Sequence, residues 1–488
     1  RVVVGRRVVG HAETGIRVPR LQPLVAILLP VPLLAGAAYA ARELTPRTFD
    51  PAPEVPASSG AWFCPHGGGR GGWEVELQVA NPGERTASIR VLSLGQDKPG
   101  QPQTFEVPPD ELVRIPVPPR GRERSSMVEW FGQWVAVGWL AHAGGGEGGV
   151  AAEPCAPAAG GRWYLPDGTT DVDEDDDYVI VMNPFAREAV FSISLLSERK
   201  EPVRHGSLTD VVLRPFRSAA FNVNDVVLGE PTVSALVEVS VGRVAAATLG
   251  VSGAGGIRSA LGYLGQPADT LTFPGGDDAG RTDLVVMSAG TTDEARVSLG
   301  GDILGEGEPQ AFAGLVDASM PAASARTFTA TTSGATSVRW TVTGEDVAAV
   351  RRTFGVVSDQ ASVTGAQPAS SWIVLPAVAG EPSNPGLVLA NPGTEPAVVR
   401  LSFLAPGPAE QVTVTVPAGS TVAAPEGFLR AAPEAGVSAT ATSGTFIPAT
   451  ASYSLGQEGL ATYAVALGIR IPEGALEGNL PGSTGSGR

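Results

Sequence analysis

The stretch Gly386–Leu404, GLVLANPGTEPAVVRLSFL, decides the fold. In its second half one face carries Val399, Leu401 and Phe403, and the other carries Val398, Arg400 and Ser402. A two-residue period of this kind marks a half-buried strand. The chain enters that strand through Asn391-Pro392-Gly393. Pro presets φ for the second position of a turn, and Gly accepts the positive φ that a type II turn needs at the third. The Asn side chain can hydrogen-bond back onto the turn. The stretch therefore reads as strand, turn, strand.

The pattern recurs along the chain. VELQVANPGERTASIRVLSL surrounds Asn81-Pro82-Gly83, and YVIVMNPFAREAVFSISLL surrounds Asn183-Pro184. LVVMSAGTTDEARVSLG holds Ser288-Ala289-Gly290 at the expected place, with the Asn-Pro lost. The steps between these turns are 102, 105 and 103 residues. A second landmark, strand, Pro turn, strand, falls at Pro108, Pro215, Pro321 and Pro417, with steps of 107, 106 and 96. Two landmarks with nearly the same period define four repeats, the third degenerate. The motifs Trp62–Pro65, Trp163–Pro166 and Trp372–Pro376 each open a repeat and end about 16 residues before its Asn-Pro turn, where the third copy has Leu271-Thr272-Phe273-Pro274. These rings read as core anchors of a first strand.

Gly and Pro supply 62 and 42 of 488 residues, too many for long helices. Short strands, regular turns and units near one hundred residues point to an all-β chain. The expected architecture is a tandem array of four immunoglobulin- or fibronectin-like β-sandwiches. A solenoid coil is shorter than this period, and a common propeller blade is about half of it. The expected repeats are 61–161, 162–270, 271–370 and 371–472, with a disordered tail at 473–488. Short connections such as Ala366–Ser371 favour a semi-rigid rod over loose beads.

The N-terminus supplies a location. Leu21–Ala41 carries no charge over 21 residues, long enough to span a bilayer. Arg6, Arg7, Arg17 and Arg20 precede it, which puts the tail 1–20 in the cytoplasm and the repeats outside. Ala38-Tyr39-Ala40 also resembles a cleavage site, so a single-pass anchor and a secreted protein with a cleaved signal both fit. Residues 42–60, with four prolines, read as an extended linker. The two cysteines, Cys64 and Cys155, lie 91 residues apart at the start and end of the first repeat. A disulfide closing that repeat suits an oxidising compartment.

The net charge of −16 argues against nucleic acid, which needs a basic footprint. The four histidines, His11, His66, His142 and His205, show no metal-ligand spacing, and no nucleophile elbow or phosphate loop is present. No residue stands out as catalytic. His66-Gly67-Gly68-Gly69 reads as a flexible loop, and Gly144–Gly149 as a hairpin tip. The strongest anomaly is Asp167–Asp177, DGTTDVDEDDD, with seven acidic residues. Clustered carboxylates are hard oxygen ligands, so calcium on Asp171, Asp173, Asp175 and Asp177 is one reading. A solvated, self-repelling loop is the other.

The motifs WFCP…VANPG, WYLP…VMNPF and WIVLP…LANPG resemble a family of actinobacterial envelope proteins with an N-terminal membrane segment, a β-rich extracytoplasmic region and no assigned function. The resemblance implies a membrane-anchored or secreted envelope protein and transfers no catalytic residue. The expectation is a non-enzymatic scaffold, spacer or protein-interaction rod. The alternatives are a wall-glycan-binding protein, with calcium in the acidic loop or Trp130, Trp134 and Trp139 as its platform, and an envelope hydrolase.

Overall fold

The computed structural model describes residues 59–476 apart from short stretches at 70, 145–146, 172–174, 200, 254–255, 278–279, 291–296, 317, 356–358, 379–382, 407–410, 426 and 456–460. The expected membrane segment at 21–41 lies outside the described residues. Among the described residues no helix is long and apolar enough to cross a membrane.

Repeat 1 contains β1 (Ser59–Cys64), β2 (Glu74–Asn81), β3 (Ala87–Leu94), β4 (Gln103–Val107), β5 (Glu111–Val117), β6 (Ser125–Phe131), β7 (Ala136–Ala143) and β8 (Gly149–Pro154). They form two antiparallel sheets, ordered β1-β6-β3-β4 and β5-β2-β7-β8. The alternation read from sequence is real: in β3, Ala87, Ile89 and Val91 are buried while Arg90 is exposed. Inward residues of both sheets, among them Trp62, Ile89, Val128, Leu77, Val79 and Val137, fill one core.

Repeat 2 follows with β9 (Arg162–Leu165), β10 (Asp176–Asn183), β11 (Ala189–Ser197), β12 (Val211–Leu213), β13 (Arg217–Asn222), β14 (Val233–Val241), β15 (Ala245–Val251), β16 (Ile257–Leu261) and β17 (Tyr263–Leu264). Repeat 3 has β18 (Thr270–Asp277), β19 (Thr282–Ser288), β20 (Val297–Leu304), β21 (Gln310–Ala311), β22 (Ala318–Met320), β23 (Ser324–Ala330), β24 (Ala335–Thr343), β25 (Val347–Phe354) and β26 (Gln360–Thr364). Repeat 4 has β27 (Ser371–Val374), β28 (Ser383–Asn391), β29 (Ala397–Leu404), β30 (Gln411–Val416), β31 (Ser420–Ala423), the single-turn helix α1 (Phe428–Ala431), β32 (Gly436–Ser443), β33 (Ile447–Leu455), β34 (Ala461–Leu467) and β35 (Ile469–Arg470).

All four repeats have the same strand order, the degenerate third included. That order departs from the immunoglobulin pattern, in which the first strand lies beside the second and the last beside the sixth. Here β1 lies beside β6, and β7 lies beside β2. After the last hairpin the chain returns to its own first strand, as the Phe63–Ala156 and Thr272–Ala366 bridges and the short strands β17 and β35 show.

The expected rod is corrected. The described residues form one compact unit, and the repeats close on themselves. The final hairpin strands β8, β16, β26 and β34 pack side by side around the centre, β8 on β16, β16 on β26, β26 on β34, and β34 back on β8. Each seam has its own apolar contact. Ile180, Leu249 and Ile257 join the core of repeat 1. Ala260 meets Val285 and Val350, Ala361 and Val363 meet Val388, Tyr463 and Val465, and Ala464 and Ala466 meet Val150 and Ala152. Small residues permit the approach: a Cβ on Gly149 would stand 2.4 Å from the Ile257 nitrogen. The expected disordered tail is corrected in part, because Ala475 is buried in the core of repeat 1.

Candidate functional site

The three Asn-Pro turns are built on one plan. The Asn391 Nδ2 donates to the Glu395 carbonyl at 2.8 Å and to the Val416 carbonyl at 3.1 Å, while its Oδ1 accepts from the Gly393 N–H at 3.0 Å. Asn81 does the same with Arg85, Val107 and Gly83, and Asn183 with Arg187, Leu213 and Phe185. Each buried amide therefore ties its own turn to the end of a strand in the opposite sheet. The expected type II conformation is corrected, since neither Gly83 nor Gly393 has positive φ. In repeat 1 the glycine makes room instead, because a Cβ there would stand 2.3 Å from the Gln133 side chain. In repeat 3 the Ser288 hydroxyl is buried with no hydrogen-bond partner among the described residues.

The cysteines form a disulfide, Cys64–Cys155, from the end of β1 to the residue after β8. Trp130, Trp134 and Trp139 are all buried in the core of repeat 1, which removes them as a glycan platform. The His66–Gly69 segment is packed rather than flexible. Its Gly67 lies against Ile180 and Leu249 of repeat 2, and a Cβ on Gly68 would stand 2.1 Å from the Pro119 carbonyl. His66 is buried beside Ser126, and burial lowers its pKa to about 4. Nearby, Arg122 sits between the Trp73 and Tyr178 rings and bonds Glu147 at 2.6 Å, latching repeat 1 to repeat 2.

The acidic segment does not gather into a cation site. Asp171 is exposed, and Asp173 lies outside the described residues. Asp175 Oδ1 accepts from the Gly253 N–H at 3.2 Å. Asp177 accepts from Arg258 Nη2 at 2.6 and 2.7 Å and from the Thr169 N–H at 2.7 Å. Among the described residues no three His, Cys, Asp or Glu side chains converge at metal-binding distance. The calcium reading therefore loses Asp177 to Arg258.

That pair belongs to a buried cluster between repeats 2 and 3. Asp167 accepts from Arg352 Nη2 at 2.5 Å and from the Ser362 hydroxyl at 2.6 Å, and lies 3.4 Å from Arg258 Nε. Burial alone would raise the Asp167 carboxyl, but Arg352, Arg258 and Ser362 hold it below its ordinary value. Burial wins at Asp177 and raises it despite Arg258. Glu153, at the edge of β8, has no hydrogen bond of ordinary geometry among the described residues. Burial, with Asp167 adding repulsion, pushes it well above the usual carboxylate range. The cluster is sealed: Asp167, Asp177, Arg258 and Glu153 are all buried. It can clamp repeats together, and as it stands it offers no exposed acid or base to a substrate. Its arginines carried a faint sequence signal, as charged residues inside the apolar strands β16 and β25.

Residues 125–303 match a family of unknown function, DUF5719. The matched span begins at β6, takes in all of repeat 2 and ends within β20. No curated protein matches the chain.

Proposed function

We propose that this protein is a non-enzymatic, membrane-anchored or secreted envelope protein of actinobacterial type. In this reading the four-repeat ring is a rigid body that displays turns for binding other envelope components. The observation that carries it is the shared frame. Four sandwiches of one strand order lock into a ring, while the residues at their turns differ in charge and size from repeat to repeat. Loops on a rigid scaffold are where proteins concentrate binding. The Cys64–Cys155 disulfide supports an extracytoplasmic location, since such bonds persist in oxidising compartments. The buried charged groups support a structural role, because they engage one another, Arg258 with Asp177 inside repeat 2 and Arg352 with Asp167 across repeats 2 and 3.

The test is a pull-down of residues 55–488 on purified wall polysaccharide and on envelope membranes, with and without calcium. A companion assay follows release of soluble sugar from the same material. Retention on envelope material without sugar release is expected. Saturable, chelator-sensitive retention on polysaccharide would replace this reading with calcium-assisted glycan binding. Steady sugar release would replace it with a hydrolase.

A further inference from the structure

The four repeats share one frame, so each position in repeat 2 has three internal counterparts. At one end of repeat 2 the β10–β11, β12–β13 and β14–β15 turns meet. Asn183 Nδ2 donates to the carbonyls of both Arg187 and Arg214, at 2.8 and 3.1 Å. The Phe216 N–H donates to the Phe185 carbonyl at 3.2 Å, and Arg217 Nη1 to the Phe216 carbonyl at 3.0 Å. The Arg243 guanidinium carbon lies 4.5 Å from the centre of the Phe185 ring. Four arginines thus share one tip with a single carboxylate, Glu188. Arg187 and Arg214 are exposed. The same turns carry Glu84, Arg85, Asp110 and Glu111 in repeat 1, and Glu395 with no basic residue in repeat 4. In repeat 3 the counterpart of Arg243 is Glu345.

A second departure stands one residue from these turns. Val190 pairs with Val212 on one side and Val241 on the other, making an apolar row across the outer face of the sheet. Val212 and Val241 are 56% and 54% exposed. The corresponding rows are Glu106–Ser88–Phe131, Ser319–Ser298–Thr343 and Thr415–Val398–Ser443. Only repeat 2 combines an all-valine row with an arginine tip.

We infer that this end of repeat 2 docks onto a bilayer surface containing anionic phospholipid. The arginines meet headgroup phosphates, and the valine row lies at the boundary with the acyl chains. In a chain of net charge −16, a local basic tip orients the molecule toward such a surface. A soluble polyanion would engage the arginines and leave the valines in water, whereas a lipid interface takes up both.

The test uses residues 55–488, which hold all four cores and the disulfide, in co-sedimentation with phosphatidylcholine vesicles with and without phosphatidylglycerol. Binding is expected only with phosphatidylglycerol, and is expected to fall in high salt. Arg187→Ala with Arg214→Ala should weaken it on the order of 25-fold. Val212→Ser with Val241→Ser should also weaken it, while Arg85→Ala at the matching tip of repeat 1 should not. Thermal unfolding checks that each variant is folded. Failure of the wild type to bind, or an equal loss with Arg85→Ala, overturns the proposal. Competition by inorganic polyphosphate, with no effect of the valine pair, would overturn it in favour of a soluble polyanion site.

Discussion

At the scale of single residues, one amide does the same work three times. Asn81 and Asn391 each donate to two backbone carbonyls, and Asn183 to three, one of them in each case at the buried end of a strand. Leaving such groups unmet costs about 1–3 kcal/mol apiece, so Asn391→Ala should destabilise by about 3 kcal/mol in denaturant unfolding. Repeat 3 offers the reverse experiment. Ser288 holds the same register position with a hydroxyl that has no partner among the described residues, and Ser288→Asn should stabilise by about 1 kcal/mol. His66 gives a pH signature. Its folded pKa of about 4 lies below the ordinary 6.5, so the fold resists protonation that the unfolded chain accepts. That contribution is fully present above pH 6.5, is lost as pH falls toward 4, and amounts to on the order of 3 kcal/mol. The stability gap between wild type and His66→Asn should therefore narrow across this window. A constant gap would show that His66 does not titrate this way.

At the scale of elements, the opening tryptophans behave as a set. The indole N–H of Trp62, Trp163 and Trp372 donates to the carbonyl just before the seventh strand of its repeat, at Val135, Val244 and Phe446. In repeat 3 the ring has moved one strand over. Leu271 takes the tryptophan's place, and Trp340 stands opposite it on β24, packed near Phe273 with its N–H unpartnered among the described residues. Core volume is kept while the hydrogen bond is given up, so Trp372→Phe should lower the melting temperature more than Trp340→Phe. The turns before the fifth strands form another set. Asp110, Phe216, Ala323 and Gly419 all adopt left-handed φ, from 51° to 63°. The Pro landmark was legible in sequence, but this conformation was not, because three of the four residues are not glycine.

At the scale of the whole molecule, ring closure governs stability. Deleting repeat 4 would uncover Leu140, Val150 and Ala152 on repeat 1 and Ala361 and Val363 on repeat 3. A chain ending at residue 370 should therefore self-associate in light scattering, whereas three units of an open rod would stay monomeric. Asp167 joins repeat 2 to Arg352 and Ser362 of repeat 3, and its removal takes the carboxylate from the buried Arg352 guanidinium, while Arg258 keeps Asp177. Asp167→Ala should cost about 3–5 kcal/mol in equilibrium unfolding.

The repeat, the strands and the turns were legible in the chain of residues, because alternation, Asn-Pro chemistry and Pro/Gly punctuation are local. It also placed the cysteine pair at the two ends of one repeat. Closure was carried by a weaker signal. The strand β3 alternates buried and exposed residues, whereas β15, AAATLGV, is buried at every position, as a strand covered on both faces must be. Which neighbour covers that second face depends on contacts between strands far apart in the chain, and it became visible in the folded molecule alone. The same holds for the acidic segment. Seven carboxylates within eleven residues read alike until Arg258 and Arg352 arrive from strands 81 and 185 residues away and pair with two of them in the interior.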